Sequence, residues 1–362
     1  MLRLGQLLAL CAAATSLAAA AQAGPVGERH LTTTDASAPL RDALHQASVR
    51  VTVWYPAAAG AVEQRIDLGP PGKPFFIVGA VAPDAAFADA RPRPVVLLSH
   101  GYGGNARIMG WFGIPLARAG YVVVAVDHPG NNGVDKMTAA GALMPWDRAQ
   151  DLAAALAAVE ADQSIGPHLD GRRVAVSGFS AGGFTALVAA GARVDMNRFV
   201  AFCHAHPDDG VCKPQKEFPL TLADFDRTMA DPALAGEMAH AGDDHRIPAV
   251  KAAFAIAPAI IQALPPEGLH EMTVTVAIIL GDADPIATPH TNGLVAAQDI
   301  PGAELKVLPG VGHYDFLATC TPAGVAALDI CRDKVPQGPT HAAAIAMALA
   351  FFARALGPPP RD

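Results

Sequence analysis

VAVSGFSAGGFTAL (residues 174–187) sets one serine among three glycines, between an apolar β-branched run and an apolar helical one. Gly178 and Gly182 stand two residues before and two after Ser180, and Gly183 adjoins them. This is the spacing of a strand that reverses sharply into a helix, with a strained central residue and room only for small neighbours. Such a turn lifts the serine hydroxyl above the strand ends and points the helix's N-terminal N–H groups at whatever it attacks. A plain strand-to-helix turn shares the spacing, so the rest of the chain has to separate the two.

Outward from this turn, apolar runs alternate with helical patterns, as in a parallel sheet covered on both faces. Upstream, VRVTVWYP (49–56) alternates like a half-exposed strand, with FFIVGAV (75–81) as its expected neighbour. PVVLLSHG (94–101) and YVVVAVDHPG (121–130) read as buried strands, followed by helices over 107–118 and 147–161. Downstream come strands over 250–259, 272–280 and 303–309 and a last helix over 341–356. The pattern predicts an α/β fold with a mostly parallel sheet of about eight strands flanked by helices. The polar segment 197–247 is too long for an ordinary connection between sheet strands and is expected to form a lid over the strand ends. GPPPRD closes the chain, and 358–362 are expected to be a disordered tail.

A serine hydroxyl is a weak nucleophile unless a base takes its proton and a carboxylate orients that base. Downstream of Ser180 the chain supplies both. IILGDADPIATP (278–289) carries Asp282 and Asp284 just past a strand, and Asp284, ahead of Pro285, is the expected orienting acid. Asp282 then caps the turn. LPGVGHYDF (308–316) offers His313 in a loop after the last strand, completing the order serine, acid, histidine. LSHGYGGN (98–105) leaves a strand through three glycines, so its backbone can approach a ligand closely. The N–H groups of Tyr102 and Ala181 are the expected oxyanion donors. No G-K-[ST] follows this loop, which speaks against a phosphate site.

With these motifs, VVVAVDHPGNN (122–132) and GVGHYDFLATC (310–320), the chain resembles the α/β-hydrolase fold. More narrowly, it is similar to bacterial dienelactone-hydrolase-like proteins related to platelet-activating-factor acetylhydrolases. The likeness runs from about residue 49 to 356, with the lid weakly matched. It implies that Tyr102 and Ala181 form the oxyanion hole. In one respect the chain departs from true dienelactone hydrolases, which use a cysteine nucleophile where this chain has Ser180.

His128 and Asn131, on the loop after a strand, are candidates for the pocket and equally for the turn itself; Met109, Trp111, Met144 and Trp146 could form an acyl pocket, with plain apolar packing the favoured reading. CHAHPDD (203–209) holds His204 and His206 beside Asp208 and Asp209, but one H-x-H pair without a third partner does not make a metal site. No metal and no cofactor is expected.

The chain starts with Arg3, an alanine-rich apolar run and an A-x-A exit, the pattern of a secretory signal peptide over 1–23 with cleavage before Gly24. An uncleaved anchor is the competing reading, because the run nearly reaches spanning length. The expected location is the periplasm or the medium, without stable membrane insertion. Residues 24–357 are expected to form one hydrolase domain. The formal charge of −8 and the absence of a Lys/Arg cluster argue against nucleic acid as a partner. Five cysteines become four once Cys11 leaves with the leader. Their short separations favour the pairs Cys203–Cys212 and Cys320–Cys331, each closing a loop of about ten residues and contributing roughly 2.5–3 kcal/mol.

Together these readings predict a secreted serine hydrolase acting on short-chain or lipid acyl esters. Acyl transfer, thioester or amide cleavage, and a non-catalytic binding protein on the same scaffold are the alternatives. Oligomeric state has no signature in the chain.

Overall fold

The computed structural model describes residues 24–332 and 335–360; the expected signal peptide over 1–23 lies outside them. The strands are β1 (Val26–Thr34), β2 (Ser48–Pro56), β3 (Gln64–Leu68), β4 (Phe76–Pro83), β5 (Arg93–Ser99), β6 (Val122–Asp127), β7 (Leu169–Phe179), β8 (Val250–Ile256), β9 (Thr275–Gly281), β10 (Glu304–Leu308) and β11 (Thr319–Cys320). They form one sheet in the order β10-β9-β8-β7-β5-β6-β2-β1-β4-β11, with β3 paired to β4.

Strands β5 to β10 run parallel. Of these, β5 to β9 carry the apolar runs of the sequence because both of their faces are covered, whereas β10 stands at the sheet edge and is exposed over most of its length. On one face, Val95, Leu97, Val122, Val124 and Val176 pack against the helices Asp147–Ala161 and Ala181–Ala189. On the other, Val96, Leu98, Val123 and Ala125 meet the helices Gly110–Arg118 and Gln337–Leu356. Helix Gln337–Leu356 is long and apolar enough to cross a membrane. In the fold it buries Ala344, Ala348, Phe351 and Phe352, with both phenylalanine rings about 6 Å from Phe254 of β8.

Eleven strands replace the eight expected. All eight form, and β1, β3 and β11 are added. β1 escapes a reading by apolar run because its second half, RHLTTT, alternates between half-buried and exposed positions. It pairs with β2 along its whole length, from Val26 opposite Pro56 to Thr34 opposite Ser48. β1 therefore separates β2 from β4, and FFIVGAV is not the neighbour of VRVTVWYP.

The segment 197–247 contains most of helix Met196–Ala205, helix Leu222–Met229 and a short turn of helix at Ala235–Met238. Its buried side chains, among them Phe199, Leu220, Phe225 and Leu234, belong to the same apolar cluster as the sheet residues. Both expected cysteine pairs are joined: Cys203–Cys212 within this segment and Cys320–Cys331 beside the last helix, with Cα separations of 5.1 and 5.8 Å. Two residues of the expected tail make contacts with the sheet and the loop before β6. Arg173 donates to the Pro358 carbonyl at 3.3 Å, and Pro359 packs onto Gly120, where an added Cβ would come within 2.9 Å. Residues 361–362 lie outside the described residues.

Candidate active site

The site lies at the C-terminal ends of the central strands, where ligands sit in open α/β sheets. Ser180 stands between β7 and helix Ala181–Ala189 at φ 59°, ψ −119°, a conformation that costs about 1–3 kcal/mol and has to be held by its surroundings. The glycines explain how. A Cβ on Gly178 would lie 2.2 Å from the Gly182 carbonyl, and one on Gly182 would lie 2.1 Å from the Ser99 carbonyl. Backbone from β5 therefore fills the space where side chains would project. The Ser180 N–H donates to Ile256 at 2.9 Å, fixing the turn to the end of β8.

His313 Nε2 lies 2.8 Å from Ser180 Oγ, and His313 Nδ1 lies 2.7 Å from Asp284 Oδ2. The other Asp284 oxygen accepts the N–H groups of Ile286 and Ala287 at 2.8 and 2.9 Å. With Nδ1–H donated to the carboxylate, Nε2 presents its lone pair to the hydroxyl. All three residues are buried. Asp282 instead accepts from the Gly310 N–H at 2.6 Å, the turn-capping role.

Beside the serine, Ala181 is the first residue of its helix, so its N–H has no intrahelical acceptor. The Tyr102 N–H, on the loop after β5, donates to no group among the described residues. This loop is tied on several sides. Gly103 N–H donates to Asn131 Oδ1 at 3.0 Å, the Tyr102 hydroxyl donates to the Phe218 carbonyl at 3.0 Å, and Arg148 donates to the His100 carbonyl.

The family model of the alpha/beta hydrolase family matches residues 95–328, from β5 to just past the segment that carries His313. The chain belongs to the alpha/beta hydrolase family. The fold of this hydrolase is similar to that of a ferulic acid esterase from Streptomyces cinnamoneus, with a TM-score of 0.60 and 20% identity over 95% of this chain and 94% of the other. At that identity the likeness concerns the fold alone. No curated protein matches the chain.

Two cavities of the hydrolase meet at Ser180. The larger reaches under the segment 197–247 and is walled by Leu143, Met196, Phe199, Phe218, Leu220 and Phe225. The smaller is lined by His313, Tyr314 and Glu217, with Gln215 shared between the two. Of the pocket residues expected from sequence, Asn131 lines the larger cavity. His128 does not. It is fully buried one layer below, with Nδ1 2.8 Å from Asp151 and Nε2 2.9 Å from Ser99 Oγ. Trp111 and Met109 lie in the apolar cluster on the opposite face, where Trp111 stacks on His341 with ring centres 4.1 Å apart. Met144 and Trp146 are buried in the core, and their neighbours Leu143 and Pro145 reach the cavity instead.

His204 Nε2 pairs with exposed Asp226 at 2.9 Å, and His206 packs on Phe202. Asp209 accepts from Val211 N–H and Thr291 Oγ, so these groups do not converge.

A buried polar chain under the oxyanion loop was not foreseen. Arg41 binds Asp151 through two bonds of 2.8 and 2.9 Å, Asp151 accepts from His128, and Ser99 Oγ links His128 to Arg148 at 2.9 and 3.2 Å. Burial holds both His128 and its neighbour His100 well below the usual imidazole range, with the Arg148 charge adding to the effect. Burial likewise pulls Arg148 down, against the attraction of Asp151.

Proposed function

We propose that the protein is a secreted serine hydrolase of carboxylic esters. The observation that carries the reading is the hydrogen-bonded file Ser180–His313–Asp284 ending at two N–H groups, Ala181 and Tyr102, available to an oxyanion. Ser180 Oγ attacks the ester carbonyl while His313 Nε2 takes its proton. Asp284 holds the imidazole in the required tautomer and stabilises its charged form. The carbonyl oxygen gains negative charge within reach of the Tyr102 and Ala181 N–H groups, each such donor contributing about a hundred- to thousandfold in turnover. The bond to the leaving oxygen breaks, and that oxygen receives the proton from His313. Water, deprotonated by the same imidazole, then attacks the acyl-enzyme and frees Ser180. No step requires a cofactor or a metal.

Export is supported by the leader-like start of the sequence and by the two disulfides, which are typical of an oxidising compartment. The expected substrate is a small-molecule or lipid ester, in keeping with the apolar walls of the larger cavity.

The test is turnover of a p-nitrophenyl ester by the mature protein and its Ser180→Ala variant. The reading expects near-complete loss with an unchanged circular dichroism spectrum. Full residual activity would refute it.

A further inference from the structure

We propose that the site is built for esters joining a bulky apolar acyl group to a small alcohol that carries further hydroxyl groups. This deepens the serine-esterase reading and rests on it.

The direction of the ester follows from the proton. In acyl-enzyme formation the Ser180 Oγ–carbon bond forms, the bond to the alcohol oxygen breaks, and that oxygen takes the proton held on His313 Nε2. The alcohol must therefore lie on the imidazole side of Ser180. Both cavities touch Ser180, Tyr102, Gln215 and Ile286, but only the smaller is lined by His313, Tyr314 and Glu217. The acyl group is left with the larger cavity, whose walls are mostly apolar, Met196, Phe199, Leu220 and Phe225 among them, with Lys213 and Gln215 the polar exceptions beside Asn131 and Arg148.

The chemistry of the smaller cavity then selects the alcohol. Gln215 Nε2 is committed to the carbonyls of Gly210 and Lys213, at 2.9 and 2.7 Å, so its Oε1 is the end left to accept. The Tyr314 hydroxyl is hydrogen-bonded to the Glu217 carboxylate, and burial together with Glu217 raises the phenol's pKa, keeping the proton on the oxygen. A carboxylate has about four acceptor positions, so one phenol leaves most of Glu217 to be satisfied. Acceptors thus outnumber donors in the chamber beside the leaving group. A hydroxylated alcohol supplies donors there. An alkyl alcohol would desolvate Glu217 without replacing its hydrogen bonds. A quaternary ammonium would meet its charge but donate no hydrogen bond.

The experiment compares kcat/KM of the mature protein for three esters of one acid: 1-hexanoylglycerol, ethyl hexanoate and hexanoylcholine. A hydrogen bond to a charged group contributes about 1.5–3 kcal/mol, so the glycerol ester should exceed the ethyl ester by at least about tenfold, and the choline ester as well. In Glu217→Leu the glycerol-to-ethyl ratio should fall to within about threefold of one. The readout is a ratio, so a general loss of activity cancels, and labelling of Ser180 by a fluorophosphonate checks that the variant is folded. If the ethyl ester is cleaved as well as the glycerol ester, if the choline ester is preferred, or if the variant keeps the ratio, the proposal is overturned while the esterase reading stands. If none of the three is cleaved and Ser180 is not labelled, both fall.

Discussion

The carboxylate of Asp151 and the imidazole of His128 meet at 2.8 Å where neither residue has any exposure to solvent. Asp151 is also the partner of buried Arg41, and His128 passes the contact on through Ser99 to Arg148, which holds the carbonyl of His100. The oxyanion loop therefore rests on a charged chain that begins in the N-terminal part of the molecule. Removing one partner of a buried ion pair typically costs about 3–5 kcal/mol, because the other charge is left uncompensated. Arg41 also faces Asp35 at 3.3 Å and Asp147 at 3.6 Å, so Asp151→Asn should lower unfolding free energy by the lower end of that range, about 3 kcal/mol, in urea titration. A change under about 1 kcal/mol would show that Asp35 and Asp147 suffice to compensate Arg41.

His100 and His128 set an acid limit to stability. Their folded pKa values lie well below 6.5, so on acidification the unfolded chain takes up protons that the folded chain does not. The stability they support is present above about pH 6.5 and is lost as pH falls below it. Each contributes a slope of up to about 1.4 kcal/mol per pH unit. His128→Asn should flatten the fall between about pH 6 and pH 4.5 by roughly that slope, measured by denaturant titration at several pH values. An unchanged slope would mean that His128 becomes protonated inside the fold.

Gly182→Ala probes the nucleophile turn, since the new methyl would sit 2.1 Å from the Ser99 carbonyl. The backbone of β5 would have to move, and the oxyanion loop with it. The expected loss of ester turnover is at least about a hundredfold, the effect of one misplaced oxyanion donor, or the protein fails to accumulate in soluble form. Near-normal turnover would show that the turn is looser than these contacts imply.

The same turn explains why so much of the site could be read from sequence. Strands β5, β6, β8 and β9 and the second half of β7 are buried on both faces and appear as apolar runs, while the glycines around Ser180 record a backbone approach that excludes a Cβ. Asp284 and His313 follow from their places just beyond strand ends. What stayed hidden depends on tertiary facing. Trp111 lies on a helix with seven of its nine residues buried, so no stripe indicates which neighbour it meets. His128 follows a strand that enters the site but turns beneath it. β1 is an alternating strand with few large apolar residues, and β11 is two residues long. The link from Arg41 to Asp151 spans 110 positions and has no local signature.

The Cys203–Cys212 disulfide ties helix Met196–Ala205 to the segment walling the larger cavity. A Cys203→Ser, Cys212→Ser double variant should lose about 2–3 kcal/mol of stability and be cut first by protease within 203–225. Equal proteolysis of both forms would mean that apolar packing alone holds this wall in place.

The most direct test of the central claim is peptide mapping after reaction of the mature protein with a fluorophosphonate. Nucleophilic attack by Ser180, with His313 as base, predicts one adduct, on the peptide carrying residues 174–187, and its disappearance in His313→Ala. An adduct on another residue, or labelling of Ser180 that survives the loss of His313 undiminished, would contradict it.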